Sequence, residues 1–295
     1  RESSAIAMRR ETTKSNVTNA RRICDHAPPM SIVTVCRNAV DTIARTFDSV
    51  LKQDFPGMQY VVIDGASTDG TVEVIRQHEA AFRANGIDLE WVSEADKGIY
   101  DAMNKGIARA RGDVIGILNS DDFYEPDTLR LVADAASSHP EAGIIYGFFR
   151  VLMKDGRELQ TYRYRYENYL LDLSCAIQSA AQHPTCFVRQ RVYDEIGIFD
   201  TSFRTSADYD FLLRAMKGGV PFLALDHVLS NFSLGGVTGT VDEYDMFEQR
   251  WRAQHKNGLL TDAEYMQRRR RLRYSLYKRV KARISHALFW RHQSA

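Results

Sequence analysis

The chain has 295 residues, 44% of them hydrophobic and 26% charged, with a formal net charge of +1. That profile excludes a disordered or low-complexity chain and suits one large α/β domain or two small ones. Residues 268–283 carry nine Arg or Lys and no acid, so the remainder sums to 1 − 9 = −8, which argues against nucleic acid as a partner.

Residues 1–28 contain Arg9, Arg10, Arg21 and Arg22 but no continuous apolar run. They read as a poorly ordered leader without a signal peptide. Met30–Cys36 is a β-branched apolar run, the profile of a buried parallel strand. Val40, Ile43, Ala44, Phe47, Val50 and Leu51 then recur at helical spacing. Tyr60–Ile63 is a second strand, ending on the turn Asp64–Thr71, and Val72, Ile75 and Phe82 stripe the next helix. Leu89–Val92 is a third strand and Ser93–Gly98 a polar turn. Ile99, Met103, Gly106, Ile107 and Ala110 mark a helix in which Gly106 permits close packing on a sheet. Val114–Leu118 is a fourth strand, stopping on Asn119-Ser120-Asp121-Asp122. This alternation predicts an α/β fold, a mostly parallel sheet with helices on both faces.

Beyond Pro126 the pattern predicts a helix to about Ser138 and a strand at Gly143–Tyr146. A hairpin follows, with arms Phe148–Met153 and Glu158–Tyr162 around Lys154-Asp155-Gly156-Arg157. Residues 162–174 have no clean period. Pro184–Val188 reads as a strand, Gln190–Ile196 as a helix, and the polar stretch Thr205–Asp210 opens another. Val220–Leu225 and Val228–Phe232 read as two strands, and the chain is helical from Val241 onward. Cys24, Cys36, Cys175 and Cys186 lack metal-ligand spacing and read as reduced thiols of a cytoplasmic protein.

The polar residues gather where strands end, the place where open α/β sheets bind ligands. Acidic turns recur there at Asp64, Asp96 and Asp121-Asp122, and a further one, Asp208, opens a helix. Adjacent carboxylates repel unless a cation or a donor network neutralises them, and a hard divalent ion on substrate phosphates is the usual neutraliser. The alternative is a helix cap, with Asp122 or Asp127 capping the helix near Pro126. Asp69 before Gly70-Thr71 reads as a turn and cap residue, and Asp210 as a loop support. Cys36-Arg37-Asn38-Ala39 contains no glycine, which excludes the phosphate turn of a dinucleotide-dependent dehydrogenase.

The pieces SIVTVCRN, VVIDGASTDGT, SEADKGIYDAMNKGIARARGDVIGILNSDD, HPTCFVRQRVYDEIGIFD, SADYDFLLR and FSLGGVT together resemble the bacterial family-2 glycosyltransferases of the GT-A fold. The likeness spans about residues 30–240 and is greatest to the branch that makes exopolysaccharide, O-antigen and glycolipid. It implies an inverting, metal-dependent transfer of a sugar from a nucleoside-diphosphate sugar to a saccharide or lipid-linked acceptor. It assigns Asp64 to the nucleobase, with Thr34, Arg37 and Asn38 beside it, and Asp96 of the D-x-G turn to the nucleotide. It places Asn119, Ser120 and Asp121 on the DxD triplet, with Asp121 the ligand of Mn2+ or Mg2+, and makes Asp208 the catalytic base. Lys97 reads as a phosphate contact or a solvated side chain, and His183 as a structural histidine or a ligand whose family position faces the acceptor side. The chain departs from the pattern at Asn119, at Ala207, where a glutamate is usual, and in lacking a clear C-terminal metal-binding histidine. The alternative is a non-catalytic nucleotide-sugar-binding or scaffold protein of the same fold.

On this reading residues 29–240 form the catalytic domain, with a nucleotide half at about 29–125 and an acceptor half at about 126–240. Residues 241–295 form a helical tail in which Leu272, Leu276, Val280, Ile284 and Leu288 recur every fourth residue among the basic side chains. Such a helix suits an anionic membrane surface, placing the protein in the cytoplasm, peripheral on the inner face of the membrane. The alternative is a helix packed on the domain or on a second copy.

Overall fold

In the computed structural model the described residues are 29–153, 155–163, 183–233 and 243–272. The leader, most of residues 162–182, the end of the FSLGGVT piece and the tail beyond 272 lie outside them, as do Cys24 and Cys175.

Four strands form in the expected order: β1 (Met30–Cys36), β2 (Gln59–Asp64), β3 (Asp88–Ser93) and β4 (Val114–Asn119). Between them run α1 (Ile43–Leu51), α2 (Thr71–Ala84) and α3 (Ile99–Arg109). All four strands are parallel, in the spatial order β3-β2-β1-β4. Every residue of β1 is buried, because alternate side chains enter two different cores. Val33 and Val35 join a cluster with Tyr100, Met103 and Ile107 of α3, while Met30, Ile32 and Cys36 join Ile43, Phe47 and Val50 of α1.

Phe47, Tyr60 and Phe82 anchor the second core, with ring centroids 5.0–5.9 Å apart. Burying each such ring contributes roughly 1.5–3 kcal/mol. On the other face, a Cβ added at Gly106 would come 2.2 Å from Val33 Cγ1. The glycine lets α3 sit close on β1, as its place in the stripe predicts.

Beyond β4 lie β5 (Phe123–Tyr124), α4 (Thr128–Ser138), β6 (Ile144–Leu152), β7 (Glu158–Tyr162), β8 (Cys186–Arg189), α5 (Gln190–Ile196), α6 (Ala207–Lys217), β9 (Phe222–Ser233) and α7 (Glu243–Lys256). A further helical stretch covers 262–272. Here the sheet becomes mixed. β8 enters antiparallel between β4 and β6, β9 runs parallel to β6, and β5 antiparallel to β9. Two expectations are corrected. The predicted strand at Gly143–Tyr146 and the first hairpin arm are one strand, β6, and Val220–Leu225 and Val228–Phe232 are one strand, β9. Both pairs merge because β6 and β9 pair along their lengths and absorb the interruptions at Gly147 and Asp226-His227 as register shifts. The β6–β7 hairpin forms as expected.

Candidate active site

Strand register brings the polar ends level. Cys36 pairs with Asp64, Asp64 with Ser93, and Val35 with Asn119. β1 lies between β2 and β4, so successive crossovers leave it in opposite directions and a crevice opens at the carboxyl edge.

At the β2 end, Asp64 is fully buried. Its Oδ2 accepts the Ser67 N–H at 3.0 Å and the Ser93 hydroxyl at 2.6 Å. Its Oδ1 accepts the Ser67 hydroxyl in a short contact and faces Cys36 Sγ at 3.5 Å. A carboxylate has about four acceptor sites, and all are occupied by neighbours. Asn38 locks the two loops together: its N–H donates to Ser67 Oγ at 2.7 Å, and its Oδ1 accepts the Thr68 N–H at 2.9 Å. Asp69 accepts from Thr71 and from the Val40 N–H, the turn work its position suggests. Thr34 is corrected outright. It is fully buried inside the sheet, where its Oγ1 accepts the Tyr60 hydroxyl at 2.8 Å, so it supports the crevice from below without facing it.

At the β3 end, Asp96 Oδ1 accepts the Gly98 N–H at 2.8 Å, and its other oxygen packs where a Cβ on Gly65 would stand. Arg37 and Lys97 are exposed at the rim.

At the β4 end, Asp122 is fully buried and accepts the Ser233 N–H and Asn119 Nδ2, each at 3.2 Å. The capping alternative fails. Asp122 turns towards β9, and Asp127 precedes α4 in the left-handed region with no side-chain cap. Asp121 and Ser120 are half-buried beside it. Burial raises the Asp121 carboxyl above its ordinary range, against the opposing influence of His183 and Arg45. Burial and the neighbouring Asp121 raise Asp122 well above that range. Arg45 of α1 donates to the Asp121 carbonyl and to Ser233 Oγ, each at 2.8 Å, and stacks 4.7 Å over Phe123.

This donor set fits a hard divalent ion. It offers oxygen only, and two adjacent carboxyls whose charged forms lack sufficient compensation. Among the described residues no group of three or more His, Cys, Asp or Glu converges as a closed metal cage. Asp121, half-buried and with neither side-chain oxygen accepting a hydrogen bond from another described residue, is the carboxylate of the pair that would have room for such an ion, with water and phosphate completing its ligands.

Asp208 lies in the first turn of α6, facing the same edge. Its Oδ1 accepts the Tyr100 hydroxyl at 2.9 Å, and its Oδ2 lies 3.7 Å from His183 Nδ1. Both side chains are 18% exposed. Burial pushes the Asp208 carboxyl up, but His183, Tyr100 and the Tyr209 N–H outweigh it and hold it below its ordinary value. It is therefore ionised at neutral pH and partly open, as a proton acceptor must be. His183 Nε2 lies 3.2 Å from Asn119 Oδ1, so His183 stands between Asp208, 3.7 Å away, and the Asn119–Asp122 hydrogen bond. The departure at Ala207 also has a cause: its side chain is fully buried in the apolar core, where a glutamate would sit unpaired.

Sequence reasoning missed Arg45, Tyr100, Ser67, Ser93 and Ser233. Arg45 meets a partner 76 positions away, which no local pattern announces. Tyr100 carried a signal, as a polar-tipped ring next to the D-x-G turn.

A nine-stranded sheet of this order with carboxylates along its edge is the architecture of GT-A fold glycosyltransferases. The model of glycosyl transferase family 2 matches residues 31–197, and the chain belongs to that family. An uncharacterized glycosyltransferase of Mycobacterium tuberculosis (strain H37Rv) is 32% identical over 214 residues, covering 72% of this chain and 77% of that one. A PGL/p-HBAD biosynthesis glycosyltransferase of Mycobacterium bovis (strain BCG) is 27% identical, covering 76% and 84%. The fold is shared with S. aureus TarS 1-349 in complex with UDP-GlcNAc, at TM-score 0.61 and 18% identity over 81% of this chain and 69% of that one. It is also shared with the Pyrobaculum calidifontis mannosyltransferase PcManGT in complex with GDP-Man and Mn2+, at TM-score 0.60 and 18% identity, covering 88% and 76%. This chain spans 41% of a longer TarS chain.

Proposed function

We propose that this glycosyltransferase moves a sugar from a nucleoside-diphosphate sugar to an acceptor hydroxyl with inversion at the anomeric carbon, in the synthesis of a surface polysaccharide or glycolipid. The observation that carries the reading is an ionised, partly open Asp208 joined through His183 and Asn119 to the acidic turn at the end of β4. Asp208 takes the acceptor's hydroxyl proton as that oxygen bonds to the anomeric carbon. The bond from that carbon to the diphosphate breaks on the opposite face. General-base assistance of this kind is worth about 10²–10⁴ in rate.

Asp121 holds the divalent ion, Mn2+ or Mg2+, which when bound supplies Lewis-acid stabilisation to the leaving diphosphate. Asn119 and Ser120 line the diphosphate side, and Arg37 and Lys97 face it from the rim. The nucleobase lies over the Asp64 turn, where a base N–H replaces one of the two serine hydroxyls on that carboxylate. Asn38 and Asp96 keep the flanking turns in place. The nucleotide half is about 29–125 and the acceptor half about 126–240. The PGL/p-HBAD and UDP-GlcNAc relatives support a glycolipid or polysaccharide product and a nucleotide-sugar donor.

The basic stretch 268–283 rests on an anionic membrane surface at the cytoplasmic face. Arg268 and Arg269 already lie over Trp251 and Tyr265, a basic and aromatic start to it. No described helix is long and apolar enough to cross a membrane. Pelleting with anionic liposomes tests the surface contact: removal of residues 262–295 should abolish it, and unchanged pelleting would contradict it.

A thermal-shift panel of UDP, GDP, dTDP and CDP, each with Mn2+, Mg2+ or EDTA, tests the donor site. A ligand at 100 times its dissociation constant adds about 2.7 kcal/mol. Metal-dependent stabilisation by one nucleotide is expected. Stabilisation that survives EDTA removes the role of Asp121, and no response to any nucleotide moves the protein to a scaffold role.

A further inference from the structure

We propose that Tyr100 is a positioning residue for the catalytic carboxylate, fixing Asp208 through its hydroxyl so that Oδ2 faces the crevice. The inference rests on the assignment of Asp208 as base and adds a residue from a different element to that function.

The geometry is specific. Tyr100 lies in the first turn of α3, 108 positions before Asp208, and is buried. Its ring packs on Phe199 at 5.6 Å, and its hydroxyl donates to Asp208 Oδ1 at 2.9 Å. A ring needed only for packing requires no hydroxyl, and a buried hydroxyl without a partner costs stability. Here the hydroxyl spends its proton on the carboxylate.

The Tyr100 backbone is itself held from several sides. Asp96 accepts the Gly98 N–H, Asp101 accepts the Lys97 N–H at 3.0 Å, and Lys105 donates to the Ala95 carbonyl at 2.9 Å. Asn104, one turn further along α3, exchanges hydrogen bonds of 2.9 and 3.1 Å with the backbone of Phe199. The hydroxyl is thus presented to Asp208 from a braced helix start.

Five groups face the carboxylate: Tyr100 from α3, His183 from the turn before β8, the Cys186 thiol of β8, the Tyr209 N–H of its own helix, and the Arg250 charge from α7. Tyr100 is the group among them that a single-atom change can silence while the packing stays. Its hydrogen bond favours the charged form of Asp208, so Tyr100→Phe should let the carboxyl bind its proton more readily.

The test labels aspartate carboxyl carbons with 13C and follows their titration by NMR, in the wild type and in Tyr100→Phe. The Asp208 signal is the one missing from Asp208→Asn. The Asp208 titration should move to higher pH in Tyr100→Phe and stay in place in Phe199→Leu, which disturbs the packing but keeps the hydroxyl. In parallel, turnover is followed with UDP-GlcNAc, UDP-glucose or GDP-mannose, using Mn2+ and octyl glycoside acceptors. Tyr100→Phe should lower kcat about tenfold while leaving donor KM within about twofold, the signature of an interaction that matters in the transition state. An unmoved Asp208 titration, an equal shift in Phe199→Leu, or a full kcat in Tyr100→Phe would each overturn the proposal. A wild type inactive with every donor would count against the function assigned above, while the titration still decides the role of Tyr100.

Discussion

Asp208 and Asp210 lie two residues apart on α6 and lead different lives. Asp210 is fully buried, and its charge is matched on every side. Arg214 Nε donates at 2.9 Å, Asn257 Nδ2 at 2.9 Å, and Lys256 Nζ lies 3.3 Å from both oxygens. Those partners come from α6 itself and from α7 and the residue after it, so Asp210 ties two elements together. Asp208 accepts from the Tyr100 hydroxyl and the Tyr209 N–H, lies 3.7 Å from His183, and keeps an open side. Asp210 is closed in by its partners, whereas Asp208 keeps one side open, as the base proposed above requires. The Asp121-Asp122 pair is likewise undercompensated, burial raising both carboxyls.

If this division holds, Asp208→Asn should lower transfer by about 10²–10⁴ with little change in melting temperature. A rate near that of the wild type would break the comparison. Asp210→Ala should do the reverse. Lys256 keeps Asp200 and Arg214 keeps the carbonyls of Ile196, Gly197 and Ile198, so the cost is that of the charged hydrogen bonds lost, about 1.5–3 kcal/mol each, read as a drop in the denaturant midpoint. An unshifted midpoint would mean that the buried cluster does not tie α6 to α7.

Asn104→Ala sharpens the contrast at a smaller scale. It removes both hydrogen bonds to the Phe199 backbone and should cost about 1–3 kcal/mol, which urea unfolding would detect. The smallest effect concerns acid stability. The Asp200 carboxyl is opposed by burial but held down to about 2 by Lys256 and Ser202. Its folded value lies below its unfolded one, so its contribution is present above the ordinary 3.8 and lost as pH falls through about 2. Asp200→Asn should flatten that limb of the acid-unfolding curve and leave neutral stability little changed apart from the lost ion pair.

Much of this was legible in the sequence for physical reasons. The β-branched run Met30–Cys36 and the helical stripe ending at Ala110 each follow one period, so strand and helix could be read locally. The acidic turns were legible because loops after parallel strands end at one edge of the sheet. What the sequence hid were pairings set by distance. Nothing local says that Thr34 turns to Tyr60, that Arg45 reaches the Asp121 carbonyl, or that β9 runs unbroken through Asp226-His227. Asn119 looked like a defect in the triplet. In the fold its amide donates to Asp122 and presents its carbonyl to His183, a bridging role that an ionised aspartate could not fill.

The most direct test of the account is a calorimetric titration with the nucleotide selected by the thermal panel, in Mn2+, against the wild type, Asp208→Asn and Asp121→Asn. Asp208→Asn should bind as the wild type does, while Asp121→Asn should bind at least about tenfold more weakly, a loss of about 1.4 kcal/mol. Equal binding by all three proteins, or a loss confined to Asp208→Asn, would contradict the separation of a metal–diphosphate turn at Asp121 from a base at Asp208.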